Sequence, residues 1–581
     1  MAERVDVLIA GTGFGGSIAA FRLAEAYRAA GADPRAIVCL ERGERFKHTD
    51  FRQAMHADHL SRVYRLVQGQ GAQMVTATGV GGGSNLYLAA SLRAPTETFE
   101  RRDRRPGDGP ERRMWPDAIS RGSLDPYYAR AETGLRIARP GWDQVSKSGG
   151  VWAAALHAAG HTCDRVPLAI SPQRCVDAKW CHTGCVFGAK NTLPTNYLGA
   201  AEALGVQVRP GHEVQSVKPS SARPWRYLVT VKTAGGTVEI ECKVCILATG
   251  AMNDAPILLR SQRDLPSLSE HVGRHLGCNG DHIAAVELNP GKVRELLGLP
   301  GYAEFHKGKP ITTMSYDFWV GRRGPRYDGT RFNLQEIFLS SLTSFLYDDG
   351  REPAGEPSFW GLQKKDAIAH WANRIELLAM VEDTHDGTFL APSPTGGGAV
   401  SPSGGPIEVG TFSYAMSDQS IAVREAANAA MKRIAERRGL GRFMALTETR
   451  GVYAAHPLGG CRMAASKDLG VTDDRGAVFD HEGLYCFGSA IIPTSLGVNP
   501  SLTIAAVAER AADGLVASMG DLGLPAPAAA HRPQTPREEV GERVVPSWSP
   551  PRRLKRLRRR DRLRRRRARR RAHHRRHRRA A

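Results

Sequence analysis

The chain has 581 residues, 41% hydrophobic and 24% charged, which is enough to bury a large core and build two lobes. Its net charge of +21 is concentrated, because the stretch from Arg552 to Arg579 holds 19 Lys or Arg against one Asp and leaves only +3 for everything else. No apolar run reaches bilayer length and the first strand starts at Val5 with no room for a removable signal, so membrane spans are excluded and a cytoplasmic location is expected.

The first predicted element is a strand, Val5-Asp6-Val7-Leu8-Ile9-Ala10, which runs into Gly11-Thr12-Gly13-Phe14-Gly15-Gly16 and then a helix over about 18–30. A glycine turn of this spacing lets backbone approach a pyrophosphate, and the helix start presents unpaired N–H groups and a positive dipole. Ala36-Ile37-Val38-Cys39-Leu40 forms the next strand and ends in Glu41, the candidate acceptor for a ribose hydroxyl. The plain alternative is a glycine turn and a surface glutamate in some other α/β protein.

Thr78-Gly79-Val80-Gly81-Gly82-Gly83-Ser84-Asn85 is a second loop that exposes backbone, suited to phosphate or a flat ring. Two such loops imply a long dinucleotide. Cys175, Cys181, His182 and Cys185 follow in a loop that ends Gly188-Ala189-Lys190-Asn191-Thr192. Their irregular steps contain no CxxC pair, so zinc or an iron-sulfur cluster is an open alternative and no bound metal is the expectation. With Cys39, Cys242 and Cys245 in apolar strands, the ten cysteines read as reduced thiols.

Val244-Cys245-Ile246-Leu247-Ala248-Thr249-Gly250-Ala251 is a buried strand followed by a helix through Pro256-Ile257-Leu258-Leu259. Tyr302, Phe305, Tyr316, Phe318, Trp319, Phe359 and Trp360 fit either a hydrophobic pocket or ordinary core. Phe332-Asn333-Leu334-Gln335-Glu336-Ile337-Phe338-Leu339 is an apolar strand with one acid, either buried for a purpose or facing solvent at an edge. The last ordered stretch carries His456-Pro457-Leu458-Gly459-Gly460, Phe487-Gly488-Ser489, and Gly497-Val498-Asn499-Pro500 before a helix over about 502–515. Read alone, His456 and Asn499 are turn residues before proline as readily as functional ones.

In this order, over roughly 5 to 515, these blocks resemble the glucose-methanol-choline (GMC) oxidoreductase family, and within it the bacterial cholesterol oxidases with noncovalent FAD. The resemblance implies an α/β protein. Its Rossmann-like FAD-binding domain would be discontinuous, from 1–95, 205–285 and 455–520. A substrate-binding domain with a mainly antiparallel sheet would come from 96–204 and 286–454, and a disordered Arg-rich tail would occupy 521–581. It implies FAD held by Gly11, Gly13, Phe14, Gly15, Gly16, Glu41, Gly81, Gly82, Gly83, Ser84, Asn85, Gly250, Gly488 and Asn499. His456 and Asn499 match the family's active-site pair, and Glu336 matches the carboxylate that moves a proton during double-bond isomerisation.

The implied substrate is an apolar alcohol, with a sterol first, and oxygen or another acceptor takes the electrons. A dehydrogenase of another hydrophobic alcohol is the nearest alternative. From another class comes a polyanion-binding protein that uses its tail on nucleic acid or anionic lipid, although no aromatic platform accompanies the arginines. The chain departs from the family pattern in three places: Phe487, or Gly488 if Ile492-Pro493 anchors the match, stands where an acid precedes the Gly-Ser pair, Ser84-Asn85 stands where covalent relatives have a histidine nearby, and Tyr87 replaces an asparagine.

Overall fold

The structure, a computed structural model, describes residues 2–54, 57–102, 111–297, 307–319, 330–340, 365, 371–390, 399–400, 406–446, 452–528 and 533–536. Among them no helix is long and apolar enough to cross a membrane. Tyr302, Phe305, Phe359, Trp360 and the arginine run 552–579 lie outside the described residues, while Phe318 and Trp319 are buried.

Three sheets organise the unit Met1–Glu539. In the first, strands Gln207–Pro210, Ile37–Glu41, Glu3–Ala10, Gly236–Leu247 and Leu484–Cys486 run parallel, and Tyr227–Thr233 and Glu213–Pro219 extend it antiparallel. Val7, Leu8, Ile9 and Ala10 are completely buried, as expected of a central parallel strand covered by helices on both faces. Helix Phe14–Ala29 packs against helix Ser501–Ala517, so the two ends of the ordered chain meet in one layer.

That layer recruits more of the chain than the sequence blocks suggest. Helix Arg121–Gly134 joins it through Arg130, which pairs with Asp513 at 2.8 Å, and helix Tyr197–Leu204 joins through the Tyr197 hydroxyl, 2.5 Å from Glu509. Arg22 closes the cluster with a two-pronged bond to Glu509, both arms 2.7 Å, and a third to Glu25 at 2.7 Å. A buried guanidinium persists only when its charge is met by carboxylates in this way. Beyond helix Ser501–Ala517, Leu522 and Leu524 are buried, and Gln534 donates its N–H to Glu25 and accepts from Arg22. Position 521 is therefore not where packing ends.

The second sheet is mixed and contains Arg274–Leu276, Gly387–Phe389, Pro406–Ser413, Tyr64–Gln70, Ala72–Ala77 and Val452–Ala454. The third is antiparallel, ordered Gly441–Ala445, Asp281–Leu288, Arg374–Val381, Phe332–Ile337, Ile311–Ser315 and Asp164–Arg165. Helices Lys147–Ala158 and Asp418–Glu436 cover one of its faces through Val151, Trp152, Val423, Ala427 and Met431. Its other face joins the large core shared with the first sheet through Ile283, Leu378 and Met380.

Candidate active site

The glycine turns that are far apart in sequence converge at the carboxyl ends of the parallel strands. Gly11 turns at φ +93°, and a Cβ there would stand 2.4 Å from the Ala248 carbonyl oxygen; on Gly16 it would stand 2.0 Å from the Gly11 oxygen. A Cβ on Gly82 would stand 3.0 Å from Gly13 Cα, and one on Gly15 would stand 2.8 Å from Gly488 N. Side chains on Gly13 and Gly83 would instead meet nothing within 4 Å, so open space lies in front of both. Helix Phe14–Ala29 begins there with no side-chain cap and no acid in its first turn, which leaves its N–H groups and positive end for an anion.

Glu41 ends its strand beside this cradle and is buried. Its carboxylate accepts from the Thr12 hydroxyl at 2.8 Å and Gly43 N at 3.0 Å, with longer contacts to Thr12 N at 3.3 Å and Gly79 N at 3.4 Å. Thr12 continues the chain of bonds by accepting from Gly81 N at 3.0 Å, which links both glycine loops. Ser84 and Asn85 act within the second loop, donating to Gly81 O at 2.7 Å and Val80 O at 2.8 Å.

Lys190 was absent from the expected site. Its buried ammonium donates to the carbonyls of Asn85, Tyr87 and Cys181 at 2.6, 3.1 and 2.7 Å, filling its three donor positions. Burial lowers its pKa to about 8. The lysine therefore rivets the cysteine loop to the second glycine loop. The thiols themselves are held high by burial, Cys175 at about 11 and Cys181 at about 12, and among the described residues no group of three His, Cys, Asp or Glu is placed to hold a metal.

His456 follows strand Val452–Ala454, and its Nδ1–H donates to Asp281 Oδ1 at 2.7 Å while Ala455 N donates to the other carboxylate oxygen at 2.9 Å. This fixes the tautomer and leaves Nε2 as the basic nitrogen. Two residues before Asp281, the Asn279 side chain donates to Val498 O and accepts from Leu496 N, both at 2.8 Å. The segment Asn279-Gly280-Asp281 thus grips His456 on one side and the backbone leading to Asn499 on the other. Asn499 is buried and its Oδ1 has no hydrogen-bond partner. The open buried acceptor of Asn499 and the open space in front of Gly13 and Gly83 are features that FAD would satisfy, so the residues present fit that cofactor.

Glu336 lies in strand Phe332–Ile337 of the third sheet. It is wholly buried, so it is not a solvent-facing edge residue, yet strand parity turns it away from His456. Asp281, Met380 and Asn333 stand opposite one another across three strands and share a face, whereas Glu336 pairs with Leu377 and thence Ala284 on the reverse face. There its carboxylate accepts from Ser148, from Ser146 at 3.3 Å, from Thr312 Oγ1 at 3.1 Å and from Lys179 at 3.2 Å. It joins the sheet to helix Lys147–Ala158.

Asn279, Asp281 and Lys190 were missed because neither Cys278-Asn279-Gly280-Asp281 nor the single lysine of the cysteine loop has a spacing that relates it to residues 85, 456 or 499. A separate cleft of about 950 Å³ lined by Glu3, Arg209, His212 and Glu239 sits where the strand Glu3–Ala10 begins, at the wrong end of a parallel sheet for a nucleotide.

Sequence profiles of GMC oxidoreductases match residues 5–279 and 407–508. The chain is 27% identical over 570 residues to a cholesterol oxidase of Mycobacterium tuberculosis, covering 87% of this chain and 90% of that protein. It is 22% identical to a long-chain-alcohol oxidase of Arabidopsis thaliana, covering 89% and 68% respectively. Among solved structures, an FAD-dependent oxidoreductase from Chaetomium thermophilum aligns with TM-score 0.58 at 15% identity over 88% of this chain and 99% of that one. A formate oxidase of Aspergillus oryzae aligns with TM-score 0.55 at 14% identity over 90% and 99%.

Proposed function

We propose, for a chain that belongs to the GMC oxidoreductase family and has FAD as its cofactor, that it oxidises the hydroxyl of an apolar alcohol, with a sterol as the first candidate. The observation that carries this reading is the His456–Asp281 bond held by the same short segment that braces Asn499. Support for a sterol comes from the cholesterol oxidase relative and from the apolar residues Ile283, Leu378 and Met380 on the face that bears Asp281.

Bound flavin supplies the acceptor for the two electrons released as the carbinol becomes a carbonyl. His456 Nε2 accepts the hydroxyl proton, and Asp281 holds the ring and stabilises the imidazolium that forms. The Asn499 carboxamide fixes the hydroxyl in one orientation. Gly11 to Gly16, Gly81 to Gly83, Glu41, Gly250 and Gly488 hold the nucleotide. Glu336, behind the sheet, takes no part.

The test is anaerobic bleaching of the purified yellow protein by cholesterol, a long-chain alkanol and a short alcohol, with peroxide measured after air is admitted. Cholesterol should bleach it fastest, and His456→Ala should bleach about a thousandfold more slowly with flavin retained. Full-rate bleaching by that variant removes the histidine from the mechanism. Preference for the alkanol, a substrate of the type named for the Arabidopsis relative, removes the sterol. Dye reduction without peroxide marks a dehydrogenase.

A further inference from the structure

The face of the antiparallel sheet that carries Asp281 is not purely apolar. Strand Phe332–Ile337 turns Asn333 and Gln335 to that face, in line with Met380 and Leu378 of the neighbouring strand and with Asp281 and Ile283 of the next. Both side chains are completely buried, and both the nitrogen and the oxygen of each carboxamide lack a hydrogen-bond partner. Around them stand Met380, Leu378, Ile283 and Met314, which offer nothing polar.

Four buried polar atoms on two adjacent same-face positions are a standing cost to the fold. Glu336, between them in sequence and on the opposite face, shows that this strand satisfies a polar side chain fully where the role is structural. The open carboxamides therefore ask for a ligand.

Resting on the reading of His456 as the group that meets the reacting hydroxyl, we propose that the substrate carries a second neutral oxygen function, and that Asn333 and Gln335 are the residues that select it. The row Asp281, Met380, Asn333 spans two strand spacings, so the second oxygen lies about 10 Å from the end of the site that His456 occupies. A carboxamide both donates and accepts, and it is uncharged, so it suits a hydroxyl or a carbonyl. A rigid polycyclic alcohol oxygenated at both ends meets that demand. A sterol with a hydrocarbon side chain, or a simple long-chain alcohol, leaves both carboxamides unpaired. This pattern of an apolar floor with a few placed polar groups is how a site orients an apolar ligand.

The experiment uses the flavin-loaded full chain under anaerobic conditions and two 3-hydroxysteroids that differ only at the far end of the ring system, one bearing a ketone and the other a hydrocarbon chain. The wild-type protein should reduce its flavin with at least about tenfold higher kcat/KM on the keto steroid, and Asn333→Leu and Gln335→Met should bring that ratio toward one. The same two variants should melt at a higher temperature than wild type without ligand, since each removes unpaired polar atoms.

Equal rates on the two steroids, or a preference that survives both substitutions, overturns the proposal. So does a lower melting temperature in both variants, which would mean that the carboxamides bond within the fold or to ordered water only. If neither steroid bleaches the flavin while a long-chain alkanol does, the sterol part of the proposed function falls with it, whereas equal bleaching by both steroids overturns this inference alone.

Discussion

At the nucleotide end of the site the contacts are made by backbone, and at the sheet end by side chains. Gly11, Gly13, Gly16 and Gly82 bring main chain together at distances that leave no place for a Cβ or leave clear space for a ligand. Strand parity points Asp281, Asn333 and Gln335 to one side of the sheet, and His456 joins them through its bond to Asp281. The first arrangement tolerates almost no substitution and announces itself in composition. The second is free to vary in residue type, and its geometry depends on register.

That contrast is broken most severely at the first turn. Gly16→Ala places a methyl 2.0 Å from the Gly11 oxygen and should yield unfolded or colourless protein, while Gly13→Ala meets nothing within 4 Å and should fold with weakened flavin binding. Flavin content per chain distinguishes the two, and equal loading of both would show that the cradle is not where the clash places it.

Behind the sheet, Glu336→Leu leaves the Lys179 ammonium buried without its carboxylate and should cost about 3 to 5 kcal/mol in denaturant unfolding. Flavin reduction per bound flavin should be unchanged, and with a sterol the double-bond pattern of the product should match wild type. A specific loss of isomerised product would return Glu336 to the reaction.

Asp254 is a second buried acid at the nucleotide end, accepting from Thr249 N at 2.8 Å, with its second oxygen unpartnered. Burial lifts its carboxyl from 3.8 to about 7, so between those pH values the folded chain keeps a proton that the unfolded chain releases. Its contribution is whole below about pH 4 and is lost as pH rises toward 7, by at most on the order of 4 kcal/mol. Asp254→Asn should flatten that part of the stability profile, and an unaltered slope would assign it to other groups.

The smallest effect is expected at Asp281→Asn, which keeps the shape but removes the charge facing His456. Flavin reduction should slow about tenfold to a hundredfold, because the ring loses the charge that orients it. A rate within twofold of wild type would make the 2.7 Å bond structural only.

Much of the nucleotide end was legible from the chain alone. The strand, glycine turn, helix, strand and acid appear where spacing puts them, with the helix starting at Phe14 and the second strand ending at Glu41. Such motifs are local: the turn, the close approach and the helix end are encoded within a few residues of each other. Asp281 and Asn279 were not legible, because a carboxylate that orients a histidine 175 positions away leaves no periodic trace. Glu336 shows the same limit in reverse. Only strand pairing puts Glu336 on one face of the sheet and its neighbours Asn333 and Gln335 on the other, the face that bears Asp281.

What the sequence determined by itself is the opening strand, glycine turn, helix and second strand of the nucleotide end, since these rest on short-range backbone chemistry. Only the tertiary structure decided which face of the antiparallel sheet meets the site, which helices close the first domain and what holds His456. A shift of one residue in strand pairing exchanges the two faces, and that register is set by packing between segments hundreds of residues apart.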